Sequence, residues 1–276
     1  KPVIGISQNM LLYERNFWKE IKNFVEKLKL FINHKRQKIC FKNAEGIIFI
    51  SKYAKNYISG ELNLENKLTT IINHGLSNDF IKSEKQLKKS STNSWDRPFK
   101  FVYVSTVHVY KNQWNVIEAI HSLRKRGFSI SLTLIGPIIY RPSGDKMMST
   151  IKKVDPEGNF ITYIPEITHL EMPNYISNHD GIIFASTCEN MPNILIESMG
   201  SGLPIACSDK MPMPEFLCDG GYYFNADSIR SICDSIVELL NDNDKTRKIQ
   251  KNLKFIRSLS WEETSKKTFS FIESVK

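Results

Sequence analysis

Hydrophobic positions along this chain alternate between two periods. Short runs that are apolar throughout read as buried strands: PVIGIS at 2–7, AEGIIFIS at 44–51, TTIINHG at 69–75, FKFVYVS at 99–105 and ISLTLIG at 130–136. NFITYI at 159–164, GIIFAST at 181–187, LPIACS at 203–208 and GGYYFN at 220–225 continue the series. Between them, apolar residues fall at helical spacing. Such stretches cover 15–33, a short segment from about Lys52, and NQWNVIEAIHSLRKRG at 112–127, which Gly127 stops. Others lie within THLEMPNYISNHD, from Pro192 or Asn193 onward, and through IRSICDSIVELL behind a cap at Asp227 or Ser228. The last is SWEETSKKTFSFIESV, where Ser260 and Glu263 fit a capping box. Strands apolar on both faces that alternate with helices predict an α/β fold, a doubly wound parallel sheet covered on both sides. Ligands then bind at the carboxyl ends of the strands.

One stretch breaks the pattern. Residues 82–98, KSEKQLKKSSTNSWDRP, have almost no apolar content and read as a linker. The expected division is a first domain at 1–81, the linker at 82–98, a second domain at 99–250 and a closing helical segment at 251–276.

Composition narrows the class. Hydrophobic residues make up 41% and charged residues 24%, as in soluble globular chains. No apolar run is long enough for a transmembrane helix, and no signal peptide is visible. The five cysteines, at 40, 188, 207, 218 and 233, show neither CxxC nor Cys/His metal spacing, which predicts reduced thiols in a cytoplasmic protein. Of the net charge of +9, much gathers between Arg15 and Lys42, where nine Lys/Arg face two Glu with Phe17, Trp18, Phe24, Phe31 and Phe41 interleaved. A basic amphipathic helix here either lies on an anionic membrane or packs its apolar side on the core and solvates its charges. No recognisable nucleic-acid module accompanies the charge, and none is expected to bind.

The chemistry concentrates in CENMPNILIES at 188–198. A strand ending at Thr187 delivers Glu189 into a turn, and a helix begins near Pro192 or Asn193. Backbone N–H groups at a helix start, with its dipole, suit a phosphate. Glu197, one turn into the helix, can accept hydrogen bonds from a diol such as a ribose. The bland alternative is a surface turn with two unrelated glutamates. A second element is STVHVYKNQ at 105–113, where a turn after a strand delivers Lys111, either to neutralise phosphate oxygens or simply to be solvated.

The ordered set KNQWNVIEAI, SLTLIGP, CENMPNILIESMGSGLP and MPEFLCDGGYYF resembles the family 4, or group 1, retaining glycosyltransferases of the GT-B fold. ENMPNILIE matches that family's Glu-x7-Glu signature, and the likeness spans nearly the whole chain, strongest over 99–240. The resemblance implies two Rossmann-like domains, the first incomplete here, with the last helix crossing back to brace it. It implies that Glu189 lies against the donor sugar and that Lys111 neutralises the diphosphate. Asn190, Met191, Pro192, Asn193 and Ile194 would bind sugar hydroxyls and the distal phosphate, Glu197 the ribose, and the backbone at Tyr163 and Ile164 the base. Ser105 and Thr106 stand where the family has Gly-Arg and are placed with Gly136 on the donor side. His108 or Arg141 is the candidate for the cation missing there. Gln8 occupies the place of a family His and, with Asn9, marks the acceptor side.

The implied reaction moves a hexose from a nucleotide-diphosphate sugar to a glycan or polyprenyl-linked acceptor, with retention. Positive groups would stabilise the departing diphosphate. No Asp-x-Asp occurs, so neither a metal nor any other cofactor is expected. The expected location is cytoplasmic, peripheral at the inner face of the membrane through the basic segment 15–42. A binding module without activity of its own is the alternative. A dinucleotide oxidoreductase would need a GxGxxG, which is absent. Glu215 and His74 read as structural, Trp114 and Trp261 as core or interface, and Met191, Met211 and Met213 as loop residues lining the cleft.

Overall fold

A computed structural model describes residues 2–21, 23–81 and 97–275. Most of the 82–98 linker segment lies outside the described residues. The chain forms two compact units. Unit 1 comprises Lys1–Ser77, Cys188–Asn193 and Arg257–Lys276; unit 2 comprises Asn78–Thr187 and Ile194–Ile256.

Unit 1 holds a parallel sheet of β1 (Ile4–Ser7), β2 (Gly46–Phe49) and β3 (Leu68–Ile71), in that order. β2 is buried on both faces, as an all-apolar central strand must be. Helices α1 (Arg15–Glu20) and α2 (Phe24–Asn43) join β1 to β2, and α3 (Lys52–Leu62) joins β2 to β3. The Ser51 hydroxyl accepts from Ala54 N–H and caps α3. The chain returns at its end as α11 (Trp261–Ser274), capped by Ser260; its Phe271, and Val275 just after it, pack with Ile48 and Ile72.

The single helix predicted over 15–33 is two. Ile21 is extended, and the Asn23 side chain accepts from Val25 and Glu26 N–H groups, starting a new helix that runs on to Asn43. α2 is turned outward. Its inward face is Glu26, Leu30, His34, Gln37 and Phe41, of which only Phe41 is fully buried. Phe24, Val25, Leu28, Phe31, Ile32 and Ile39 are all exposed.

Unit 2 is a six-stranded parallel sheet with the order β6-β5-β4-β7-β8-β9. Its strands are β4 (Phe99–Val104), β5 (Ile130–Ile135), β6 (Ile161–Ile164), β7 (Gly181–Phe184), β8 (Ile205–Ser208) and β9 (Tyr222–Phe224). Numbered from its own first strand, that is the 3-2-1-4-5-6 order of a Rossmann sheet, and the order reverses between β4 and β7. α4 (Gln113–Lys125), α5 (Arg141–Val154), α6 (Met172–Ser177), α7 (Asn193–Gly200), α8 (Met213–Leu217), α9 (Ile229–Asn241) and α10 (Lys245–Ile256) complete it.

α5 and α8 escape the apolar pattern. RPSGDKMMSTIKKV opens with Pro, Ser and Gly, which look like loop, but Pro is tolerated in a first helical turn. Met213 is wholly buried in α8 rather than part of a loop. The Ser228 hydroxyl accepts from Ser231 N–H, so Ser228 and not Asp227 caps α9. Residues 251–276 contain the end of α10, a break at 257–260, and α11. Among the described residues no helix is long and apolar enough to cross a membrane.

Candidate functional site

The loops after β4 and β7 flank the point where the strand order of unit 2 reverses, which is where a doubly wound sheet opens a crevice. They are tied together. Thr187 N–H donates to the Tyr110 carbonyl at 2.8 Å, and the Asn112 amide donates to the Ala185 carbonyl at 3.2 Å. Asn112 adopts a left-handed conformation (φ 52°) that ends a 3-10 turn, Val109–Lys111, and leads into α4. Asparagine tolerates that region better than most residues. The turn holds Lys111, which is only 5% exposed. Its ammonium lies 4.9 Å from the Tyr110 ring centre and 5.5 Å from that of Phe184, the last residue of β7. A cation stacked between aromatic faces keeps its charge at the sheet edge with few rotamers open to it.

Ser105 and Thr106 follow β4 directly. Gln113 at the start of α4 donates from Nε2 to the Ser105 hydroxyl and to the Thr106 carbonyl, each at 2.9 Å. The loop is therefore braced by a neutral amide. Gly136 after β5 has φ 139°, and a Cβ there would stand 2.2 Å from the Ser105 carbonyl oxygen. Only glycine lets the two loops approach that closely. Tyr163 in β6 donates its hydroxyl to the Gly136 carbonyl at 3.0 Å, and burial raises its pKa. Ile164 accepts from Gly136 N–H at 3.0 Å. Ser105, Thr106, Gly136, Tyr163 and Ile164 are thus gathered at one edge of the sheet.

The two candidate replacement cations, His108 and Arg141, are placed differently. His108 is half-buried and stacks on Tyr140, with ring centres 5.0 Å apart and planes at 19°. Burial first, and the nearby Lys111 second, push its pKa down to about 4, so it is neutral near pH 7. Its Nδ1 accepts from Val109 N–H, capping the turn that carries Lys111. Arg141 belongs to the first turn of α5, with its side chain 92% exposed and near Asp145.

Glu197 lies one turn into α7. Its side chain is 21% exposed, and its Oε1 is 3.2 Å from Nε2 of His169. Burial raises the carboxyl pKa, and His169 partly offsets that rise. Gly200 lets α7 sit close to its neighbour, since a Cβ there would stand 2.3 Å from the Phe80 carbonyl oxygen. Phe80 also packs on the His169 ring at 4.9 Å. The carboxylate is thus partly desolvated by the surrounding fold and hydrogen-bonded to an exposed histidine that sequence reading missed. The partners are 28 residues apart, and no local pattern links them.

The segment Cys188–Asn193 belongs to unit 1. The Asn190 amide donates to the Ser7 carbonyl at 3.1 Å, and its Oδ1 accepts from the Ser51 hydroxyl at 3.3 Å. Its side chain is therefore engaged within the fold, at the carboxyl end of β1. Met191 is buried, and its sulfur accepts from His74 N–H. Gln8 and Asn9, the next residues after Ser7, are exposed. Asn9 folds back to accept from Leu11 N–H. Glu189 is half-buried, Pro192 buried and Asn193 exposed, with Asn193 N–H donating to the Met191 carbonyl. Ile194, half-buried, carries the chain into unit 2. His74 stacks on Trp261, with centres 5.6 Å apart and planes at 26°. Trp114 is buried in α4, whereas Trp261 is 54% exposed.

The family model for glycosyl transferases group 1 matches residues 84–254. O-antigen chain mannosyltransferase B of Escherichia coli is 23% identical over 172 residues, which is 61% of this chain and 44% of that protein. The match therefore spans less than half of that relative's length. Among solved structures, the sucrose-phosphate synthase of Thermosynechococcus elongatus superimposes with a TM-score of 0.78 at 16% identity, over 98% of this chain and 67% of that one. Anabaena HepE in complex with UDP and glucose gives 0.76 at 17% identity, over 99% and 72%. The trehalose 6-phosphate synthase of Burkholderia multivorans gives 0.74 at 12% identity, over 91% and 64%. At these identities the structural likeness establishes the fold, which is GT-B. The matched family model, which covers more than half of the residues, places this chain among the group 1 glycosyl transferases.

Proposed function

We propose that the chain transfers a hexose from a nucleotide-diphosphate sugar to a glycan or polyprenyl-linked acceptor, with retention and without a metal. The observation that carries this reading is Glu197. A partly desolvated carboxylate on α7, held by His169, is suited to accept from a ribose diol, and Lys111 on the neighbouring loop supplies positive charge for a diphosphate. Ser105, Thr106, Gly136, Tyr163 and Ile164 then line the donor. The turn Asn190, Met191, Pro192, Asn193 and Ile194 serves the sugar and the distal phosphate, through the backbone N–H groups of its non-proline residues. Glu189 faces the sugar, while Gln8 and Asn9 lie on the acceptor side. The acceptor hydroxyl attacks the anomeric carbon on the leaving-group face, and a phosphate oxygen takes its proton as the carbon–oxygen bond to the diphosphate breaks.

The outward apolar stripe of α2, bordered by Lys27, Lys29, Arg36 and Lys38, supports a cytoplasmic protein held peripherally on an anionic membrane. A second reading, nucleotide-sugar binding without transfer, draws on the neutral bracing of Ser105–Thr106 by Gln113. Melting the chain with UDP, GDP, ADP and their sugars tests both. One nucleotide raises the melting temperature of the wild type, and Glu197→Ala abolishes the shift. An equal shift in the variant overturns the ribose assignment. Binding without any turnover of the matching nucleotide sugar favours the second reading.

A further inference from the structure

Unit 1 contains a pocket of about 430 Å³, formed by the segment before α1, by α1 itself, and by α2 and α3. That is within the range of about 300–1,000 Å³ typical of small-molecule sites. Its walls are aromatic, with Tyr13, Trp18 and Phe31 around His34. The His34 ring meets Tyr13 edge-on at 5.2 Å and Trp18 edge-on at 6.0 Å. The indole N–H of Trp18 donates to the Leu11 carbonyl, which fixes that wall.

Polar groups are set into this lining. His34 Nε2 lies 3.2 Å from Glu61 Oε1, with both side chains mostly buried. Tyr13 is 2% exposed, and its hydroxyl has no hydrogen-bond partner among the described residues. Arg15 and Lys35 are exposed at the rim, and Lys35 stands 5.5 Å from the Phe31 ring centre. With its carboxylate already beside His34, the lining has positive charge left over.

We propose that this pocket binds a sugar unit bearing an anionic group, as part of the acceptor. The apolar C–H faces of a pyranose pack on the Tyr13, Trp18 and Phe31 rings. Its hydroxyls meet Glu61 and His34, and its anionic group meets Arg15 and Lys35. A hydrocarbon chain fits less well, because it would shut polar groups away from water with nothing to bond. The pocket is also connected to the segment that holds Glu189. Tyr57 on α3 donates to the Tyr13 carbonyl, and burial first, then the nearby carboxylates of Glu14 and Glu61, push its pKa up. Tyr53 lies one turn earlier, with its ring centre 5.9 Å from that of Tyr57, and burial first, then Glu14 and Cys188 nearby, push its pKa up. A row of tyrosines therefore leads from the pocket to the residue before Glu189, all within unit 1. Naming the occupant as part of the acceptor rests on the transferase reading; binding of the sugar does not.

The test is saturation-transfer NMR and calorimetry on the full chain with methyl glucuronide, methyl glucoside, glucose 6-phosphate and inorganic phosphate. Methyl glucuronide or glucose 6-phosphate binds at least tenfold more tightly than methyl glucoside, and which of the two is preferred tells a uronate from a sugar phosphate. The double variant Arg15→Ala/Lys35→Ala, altered only at exposed side chains, removes that preference while keeping the wild-type melting temperature and nucleotide shift. Equal affinity for inorganic phosphate and the charged sugars overturns the sugar assignment. Unchanged binding in the double variant, or no binding of any probe to the wild type, overturns the site. A nucleotide shift absent from a wild type that binds methyl glucuronide would instead sink the donor reading and leave the pocket standing.

Discussion

Helices α2 and α4 both carry apolar residues at helical spacing, yet they stand on their sheets in opposite senses. α4 turns Trp114, Val116, Ile117, Ala119, Ile120 and Leu123 inward, all buried, and ends in Arg124 and Lys125. α2 turns its polar His34 and Gln37 inward and its Phe24, Leu28 and Ile32 outward. In sequence both show the same 3.6-residue period, which says that one face is apolar but not what covers it. What separates them is the border of the stripe. Around α2 the apolar residues are edged by lysines and arginine, as on a helix that meets an anionic surface. Around α4 they are continuous with the sheet.

Four measurements sharpen or break this contrast, the largest expected effect first. Ile117→Ala, at a wholly buried position of α4, costs about 2–5 kcal/mol in denaturant unfolding. Ile32→Ala in α2 stays within about 0.5 kcal/mol of wild type. A comparable loss at Ile32 would mean that α2 is covered. Next, reversing Lys27, Lys29 and Lys38 to Glu weakens binding to anionic vesicles by roughly a hundredfold, since each basic residue near the surface contributes about 1 kcal/mol. Wild-type flotation by the triple variant breaks the membrane reading. Third, Asn23→Ala removes the cap shared by Val25 and Glu26 N–H groups and lowers stability by about 1 kcal/mol. Circular dichroism should show a loss of helix with it. No change would mean that α1 and α2 can run on as one helix.

The smallest effect concerns His108 in unit 2. Its folded pKa of about 4 lies below the ordinary value of 6.5, so the unfolded chain binds a proton first as pH falls. The stability it contributes is fully present above about pH 6.5 and is lost as pH falls toward 4. His108→Asn keeps a side-chain acceptor for Val109 N–H but removes the titration, so its stability curve is flatter between those pH values. Identical curves would rule out the burial described for that ring.

Much of unit 2 was legible because its signals are local. The strands are apolar runs, Ser228 announces a cap, and Pro192 marks the start of α7 one residue early. α5 was missed because its first turn holds Pro, Ser and Gly, which look like loop. The candidate site was legible only in part. Glu197 and Lys111 stand out by their place in the strand–turn–helix pattern. The groups that hold the site do not. His169 reaches Glu197 across 28 residues, and Gln113 braces Ser105 through a side chain whose period reads as core. Asn190 reaches Ser7 across 183 residues. Such contacts are set by tertiary approach, on which one-dimensional spacing is silent.

The bond from Asn190 to Ser7 also bears on when unit 1 can form. That unit draws on three stretches of chain, the last of which supplies Phe271 and Val275 against β2. A Cβ at Gly46 would stand 2.8 Å from the Val275 side chain, so α11 lies directly on the strand. During synthesis the ribosome must release residue 275 before this core can close, whereas the stretches of unit 2 end at Ile256. Contacts of such long sequence separation are slow to form. The strands β1 to β3, made well before α11, are therefore secured only after it, and until then their apolar faces are open to chaperones and to one another.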